Sequence, residues 1–269
     1  MLNVISAIFE RYDIFLFILV RMLGFIVLNP ILGRKNVPAM VRGAVAFVLA
    51  IFALMTITSN AELDALQVGS LKLDNMVMFV LLLVKEFAFG YLISLIVNMF
   101  FTIVVIAGDI MDMQMGLGMS KMYDPASNIQ MPVSGNFYNI ALMIMFFVTN
   151  SHITLVKIML DSFYLSPVGV VSFNADVGIY VMRIFGEIFI LSLKLAFPVM
   201  AAELITETGV GIVMRAVPQI NVFVVGLQLK ILAGIGVMLL CAPVSVWFFD
   251  GMLGKMNDTI YEALKVLTG

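Results

Sequence analysis

Residues 76–107 read MVMFVLLLVKEFAFGYLISLIVNMFFTIVVIA, an apolar run of 32 residues with Lys85 and Glu86 side by side inside it. At 1.5 Å per residue one straight helix of that length measures ~48 Å, against a hydrocarbon core of ~30 Å. Such a helix either tilts and projects from the membrane, or bends near Lys85, Glu86 and Gly90. A charge at the bilayer centre costs about 2.5–3.5 kcal/mol on insertion scales, so a charged residue in such a run faces protein or a wet path. The same conflict recurs along the chain. Arg21 interrupts the run 14–32, Arg183, Glu187 and Lys194 interrupt 177–202, and Lys230 interrupts the last run. The expected fold is all-α and membrane-associated, with charged helix faces turned toward something other than lipid.

The composition agrees. Of the 269 residues 12% are charged and 62% hydrophobic, where soluble domains run near about 25% charged. A balance of 15 Lys+Arg against 17 Asp+Glu leaves no basic footprint for nucleic acid. Cys241 cannot form an internal disulfide alone and reads as a small buried hydrophobe. Residues 1–13 carry Glu10, Arg11 and Asp13 and lack a basic n-region, so the run from Ile14 reads as a retained span.

Six apolar segments are expected, at 14–32, 43–58, 76–107, 137–160, 177–202 and 219–249, separated by short spacers rich in Pro, Gly, Asn and Asp. The basic turn 33–42, with Arg34, Lys35 and Arg42, is the strongest cytoplasmic candidate by the positive-inside rule. Six crossings then put both ends outside. No spacer is long enough for a separate soluble domain, so 1–269 reads as one membrane-embedded domain.

Three constellations carry charge or unusual composition. Arg183, Glu187 and Lys194 fall within ~40° of one another on a helix, an ion-pair ladder against a neighbouring subunit or, alternatively, an ion relay. Glu203 and Glu207 form an acidic pair beyond Pro198, which is expected to kink or end its helix. Arg215 and Lys230 follow on either side of a turn containing Pro218, Gln219 and Asn221. This makes a helical hairpin whose charged tip is either solvated or a docking surface. The third is 108–132, GDIMDMQMGLGMSKMYDPASNIQMP, which holds Met111, Met113, Met115, Met119, Met122 and Met131 around Gly116 and Gly118, with Tyr123 beside them. Glycine disfavours a rigid helix and methionine repacks readily, so this stretch reads as loop: filler between subunits, or a deformable seal. His152 has no ligand-spaced partners and suits a helix break, and no metal or cofactor site is expected. No P-loop, Rossmann, HExxH or Ser-His-Asp pattern occurs, so no enzyme is expected.

Glu207, Gly211, Arg215, Pro218-Gln219, Asn221, Phe223, Gly226 and Lys230 together resemble the signature of the FliR family, called SctT in injectisomes. Val37-Pro38 with Arg42, then Gln114–Leu117 leading to Asp124-Pro125, then Asn150 and His152 leading to Pro167 and Gly169, agree with it in order. The resemblance implies an export-gate subunit of type III secretion, here of flagellar kind. It would be non-enzymatic, would line the conduit for unfolded substrates, and would assemble with FliP-, FliQ- and FlhB-like subunits in the bacterial inner membrane at the flagellar basal body. It implies a FliP-like part over 1–176, including the loop 108–132, and a FliQ-like hairpin over 177–250. Arg183, Glu187, Lys194 and Lys230 become candidate subunit contacts, and Glu203, Glu207, Arg215, Pro218, Gln219 and Asn221 a docking tip. Where the family often carries aromatic residues, this chain has Met119, Met122 and Tyr123, so a methionine seal is expected. An ion- or proton-coupled transporter and a purely structural assembly subunit stay open as alternatives.

Overall fold

The apolar runs fold as helices, but two run longer than the sequence suggests and two are broken. The computed structural model describes residues 12–34, 37–59, 76–118, 122–124, 129–169, 173–216 and 222–268. In chain order these form α1 (Tyr12–Val27), α2 (Ala39–Ser59), α3 (Met76–Met115), β1 (Met122–Asp124), β2 (Ile129–Met131), α4 (Val133–Val148), α5 (Ser151–Leu165), α6 (Ala175–Ala216), α7 (Val222–Leu240) and α8 (Ala242–Thr268). The architecture is all-helical apart from one ribbon, in which β1 and β2 pair antiparallel with Met122 opposite Met131 and Asp124 opposite Ile129.

The run around Lys85 stays one helix. α3 continues past Ala107 and through Gly108 to Met115, 40 residues in all, about 60 Å at 1.5 Å per residue. α6 is 42 residues long with Pro198 inside it, so the expected end at that proline does not occur. A proline removes one helical hydrogen bond and crowds the preceding turn, yet flanking helix on both sides carries the element through. The opposite happens at 137–160, where Asn150 takes a left-handed backbone (φ 57°) and α4 and α5 meet at 66°. The run 219–249 breaks at Cys241, with 60° between α7 and α8. The six apolar segments thus differ in form: α1 is short, two are bent pairs and three are single long helices. Among the described residues three helices are long and apolar enough to span a membrane, or five if each bent pair is one span.

The chain forms two compact units, Met1–Asn98 with His152–Arg183 and Met256–Gly269, and Met99–Ser151 with Ile184–Lys255. In the first unit α1 and α3 pack backbone to backbone: a Cβ on Gly90 would strike the Arg21 carbonyl, and one on Gly24 the Phe87 carbonyl. α2 packs on α1, with Phe47 edge-on to Phe15 at 5.5 Å. In the second unit Phe101 of α3 meets Phe146 of α4 at 5.6 Å, and Tyr138 of α4 meets Phe249 of α8 at 5.9 Å.

Outward faces are strongly apolar. α2 exposes Met40, Phe47, Val48 and Phe52, and the start of α3 exposes Met76, Val77, Leu81 and Val84. Faces of this kind belong against lipid or other subunits, since water would leave them unpaid for by any burial.

Candidate functional site

The methionine-rich stretch begins as helix and ends as a pinned loop. Residues 108–115 complete α3, so the expected loop start at Gly108 moves to Gly116, whose φ of +79° takes the chain out of the helix. Tertiary packing overrides the weak helix propensity of glycine here: Met111 and Met115 are fully buried, while Met113 is 74% exposed. Gly118 is the last described residue before the gap, Met119 lies outside the described residues, and Met122 and Tyr123 form the start of the ribbon.

The loop's two ends are tied together by Asp112. The first N–H groups of a helix have no partner within it, and Pro132, which precedes α4, has no side-chain acceptor to offer. Asp112 on α3 supplies one instead. Its carboxylate accepts the Val133 N–H at 2.6 Å, the Ser134 N–H at 3.2 Å and the Ser134 hydroxyl at 2.5 Å. A negative charge at that end is also favoured by the helix dipole. The Leu117 N–H donates to the Asp112 carbonyl at 2.8 Å, closing the helix end. What results is a short excursion with a fixed base, an internal ribbon and an apolar foot made by Met111, Met115 and the buried Met131.

α6 and α7 pack as the expected hairpin. Lys230 of α7 pairs with Glu207 of α6 at 3.2 Å. One turn further in, Gly234 of α7 lies against Glu203. The connection holding Pro218, Gln219 and Asn221 lies outside the described residues, and Arg215 is exposed in the last turn of α6. Glu203 differs from the expected docking tip: it is 1% exposed, and neither carboxylate oxygen receives a hydrogen bond. Where Gly234 lacks a side chain, a notch is filled by the Met115 thioether and by Glu203 Oε1. The foot of the loop and the buried carboxylate therefore meet at one point on α7. Toward the tip the hairpin holds an apolar groove of about 380 Å³, lined by Thr206, Val210, Val213, Val225, Leu229 and Leu232.

The charged stripe on α6 is arranged otherwise than a simple ladder. Glu187 pairs with Lys255 of α8 at 2.8 Å, a residue to which the sequence drew no attention. Lys194 is exposed near Pro198 and Ser245 and has no ion-pair partner among the described residues. Arg183 is exposed on the same helix.

A second buried charge cluster was legible only in part. Arg21 and Glu86, each an anomaly in its own apolar run, form a fully buried pair, Nε to Oε2 at 2.6 Å. Arg21 Nη1 also donates to the Ser166 carbonyl at 3.0 Å, and the guanidinium lies 4.3 Å from the Phe89 ring and 4.5 Å from that of Phe163. Glu86 Oε1 accepts the Gly169 N–H at 2.8 Å. Lys85, next to it, points outward, because neighbours on a helix are ~100° apart. Among the described residues no group of His, Cys, Asp and Glu is placed to hold a metal ion.

Residues 12–256 match the family described as bacterial export proteins, family 1. The chain is 33% identical over 242 residues to the flagellar biosynthetic protein FliR of Bacillus subtilis, covering 89% of this chain and 90% of that one. It is 25% identical to FliR of Escherichia coli over 93% of this chain and 92% of the other. Identity is again 25% to the surface presentation of antigens protein SpaR of Shigella sonnei, over 92% and 95%.

Proposed function

The chain belongs to family 1 of the bacterial export proteins, the FliR family, and from that membership we propose that it lines and seals the conduit for unfolded flagellar substrates. Its relatives' names make it a component of a flagellar or type III export apparatus, and its apolar helices make it a membrane protein. The bacterial inner membrane at the flagellar basal body is its proposed place. FliP-, FliQ- and FlhB-like subunits are the proposed partners, with 1–176 acting as a FliP-like part and 177–250 as a FliQ-like hairpin. The role is non-enzymatic.

The observation that carries the sealing role is the pinned Met/Gly loop. Its base is fixed by Asp112 and its apolar foot is buried, while Gly116 opens a segment whose methionines can repack around an object of varying width. A fixed base with a repackable tip suits a closure that yields to a passing chain. Ion pairing also favours a gate over a relay, because Glu187 and Lys230 are each held by a partner of opposite charge. The apolar faces left outward, with Lys194 among them, are the proposed subunit contacts, together with Arg183.

The test replaces Met115, Met119 and Met122 together by alanine and measures ion leak through assembled gates in cells. Leak is expected to rise with gate assembly preserved. Tight gates with normal secretion would make the loop filler and leave a purely structural assembly role.

A further inference from the structure

Glu203 and Glu207 stand one turn apart on the same face of α6, so their Cβ atoms are ~6 Å apart. One lysine serves both. Lys230 takes the outer carboxylate, Glu207, whose side chain is 60% exposed, and leaves the inner one without an ion pair. This is the costlier choice. A buried carboxylate without a counter-ion bears its whole desolvation penalty, whereas an exposed one is served by water.

The obstacle is Met115. Its Sδ and Cγ fill the notch left by Gly234, where Glu203 Oε1 also lies. Lys230 and Gly234 are one turn apart on α7, so the notch lies one turn from the base of the lysine stem. The stem is four flexible carbons long, enough to move its ammonium by one helical turn. Thioether and ammonium compete for one space.

We propose that Glu203 is a reserve acceptor for Lys230, blocked while Met115 occupies the Gly234 notch and filled when Met115 withdraws. The pair Lys230–Glu207 then marks the closed form, and the buried pair Lys230–Glu203 stabilises the form in which the foot of the loop has lifted. Movement of the loop is thereby coupled to the hairpin by an exchange of ion pairs, in which the lysine neutralises the buried carboxylate and leaves the exposed one to water. The consequence for leak rests on the sealing role of the loop; the exchange itself does not.

The exchange is read directly by zero-length carbodiimide crosslinking of the full-length chain in assembled gates, with the joined peptides found by mass spectrometry. In the native chain Lys230 is expected to join Glu207. With Met115→Ala, which empties the notch, or with Glu207→Gln, which frees the lysine, the Lys230–Glu203 product is expected to rise roughly fivefold or more. A Lys230–Glu203 yield unchanged in both variants overturns the latch. A second readout uses Met115→Cys in a Cys241→Ser background and the labelling rate by N-ethylmaleimide. Glu207→Gln is expected to speed labelling, and Glu203→Gln added to it is expected to cancel the gain; additive effects overturn the latch. Ion leak is measured on the same gates. Crosslinking that follows the latch while the triple-methionine variant stays tight overturns the sealing role alone, and a leaky triple variant without the crosslinking response overturns the latch alone.

Discussion

Two buried carboxylates, Glu86 in α3 and Glu203 in α6, sit in helices of similar length and are 0% and 1% exposed. Glu86 is met from two sides. The Arg21 guanidinium and the Gly169 N–H occupy its oxygens, and Arg21 is itself held by a carbonyl and two aromatic rings. Glu203 has none of this, and a methionine stands where a donor belongs. The first arrangement joins α1, α3 and the turn after α5 through a direct ion pair, with only Arg21 Nη2 left without a hydrogen bond. The second is unfinished, with a competitor for its partner one turn away.

The largest effect is expected at Glu86. Glu86→Ala leaves Arg21 buried without a counter-ion, and breaking such a pair costs about 3–5 kcal/mol. The yield of folded chain in detergent is expected to collapse, and a thermal midpoint equal to that of the native chain would break the contrast with Glu203. An intermediate effect is expected at Asp112. Asp112→Ala removes the acceptor that caps α4 across the loop, a loss of about 1–2 kcal/mol by the scale of helix caps. Because that cap ties the loop ends, limited proteolysis is expected to cut within 116–132 sooner while the helices stay intact. Uniform loss of the whole chain would show Asp112 to be part of the general core instead. The smallest loss of stability is expected from Glu203→Gln, which breaks no ion pair and removes an unpaired buried charge, so the thermal midpoint is expected to hold or rise. Glu86→Gln in the same assay is expected to lower the thermal midpoint clearly. Equal shifts for the two amides would erase the distinction between a completed and an open site.

Much of the site was legible because its signals are local. The hairpin follows from apolar runs on either side of Pro218-Gln219, and the peculiar composition of 108–132 is visible residue by residue. Its boundary was not. Gly108 and the two aspartates argue for loop by propensity, yet α3 runs on to Met115, because Met111 and Met115 are buried and Asp112 is bonded to the first turn of α4. Pro198 does not end its helix, and Leu195, Ala196 and Val199 around it are buried. Glu187 was expected to meet a neighbouring helix, but only the fold names its partner, Lys255 of α8 at 2.8 Å.

The sequence by itself determined that the chain is helical, that it belongs with membranes or other subunits, and that charges inside its apolar runs need partners. It also determined the family, through a spaced signature around the hairpin. These follow from hydrophobicity and from spacing along one helix, which act between residues a turn or two apart. Only the tertiary structure decided which charge meets which. Arg21 and Glu86 are 65 residues apart, and their pairing depends on two glycines that let α1 and α3 cross at backbone contact. Glu203 and Met115 meet because a third glycine, Gly234, leaves a notch that both enter. Ion pairs are short-ranged in space and indifferent to distance along the chain, so they are settled by how helices cross.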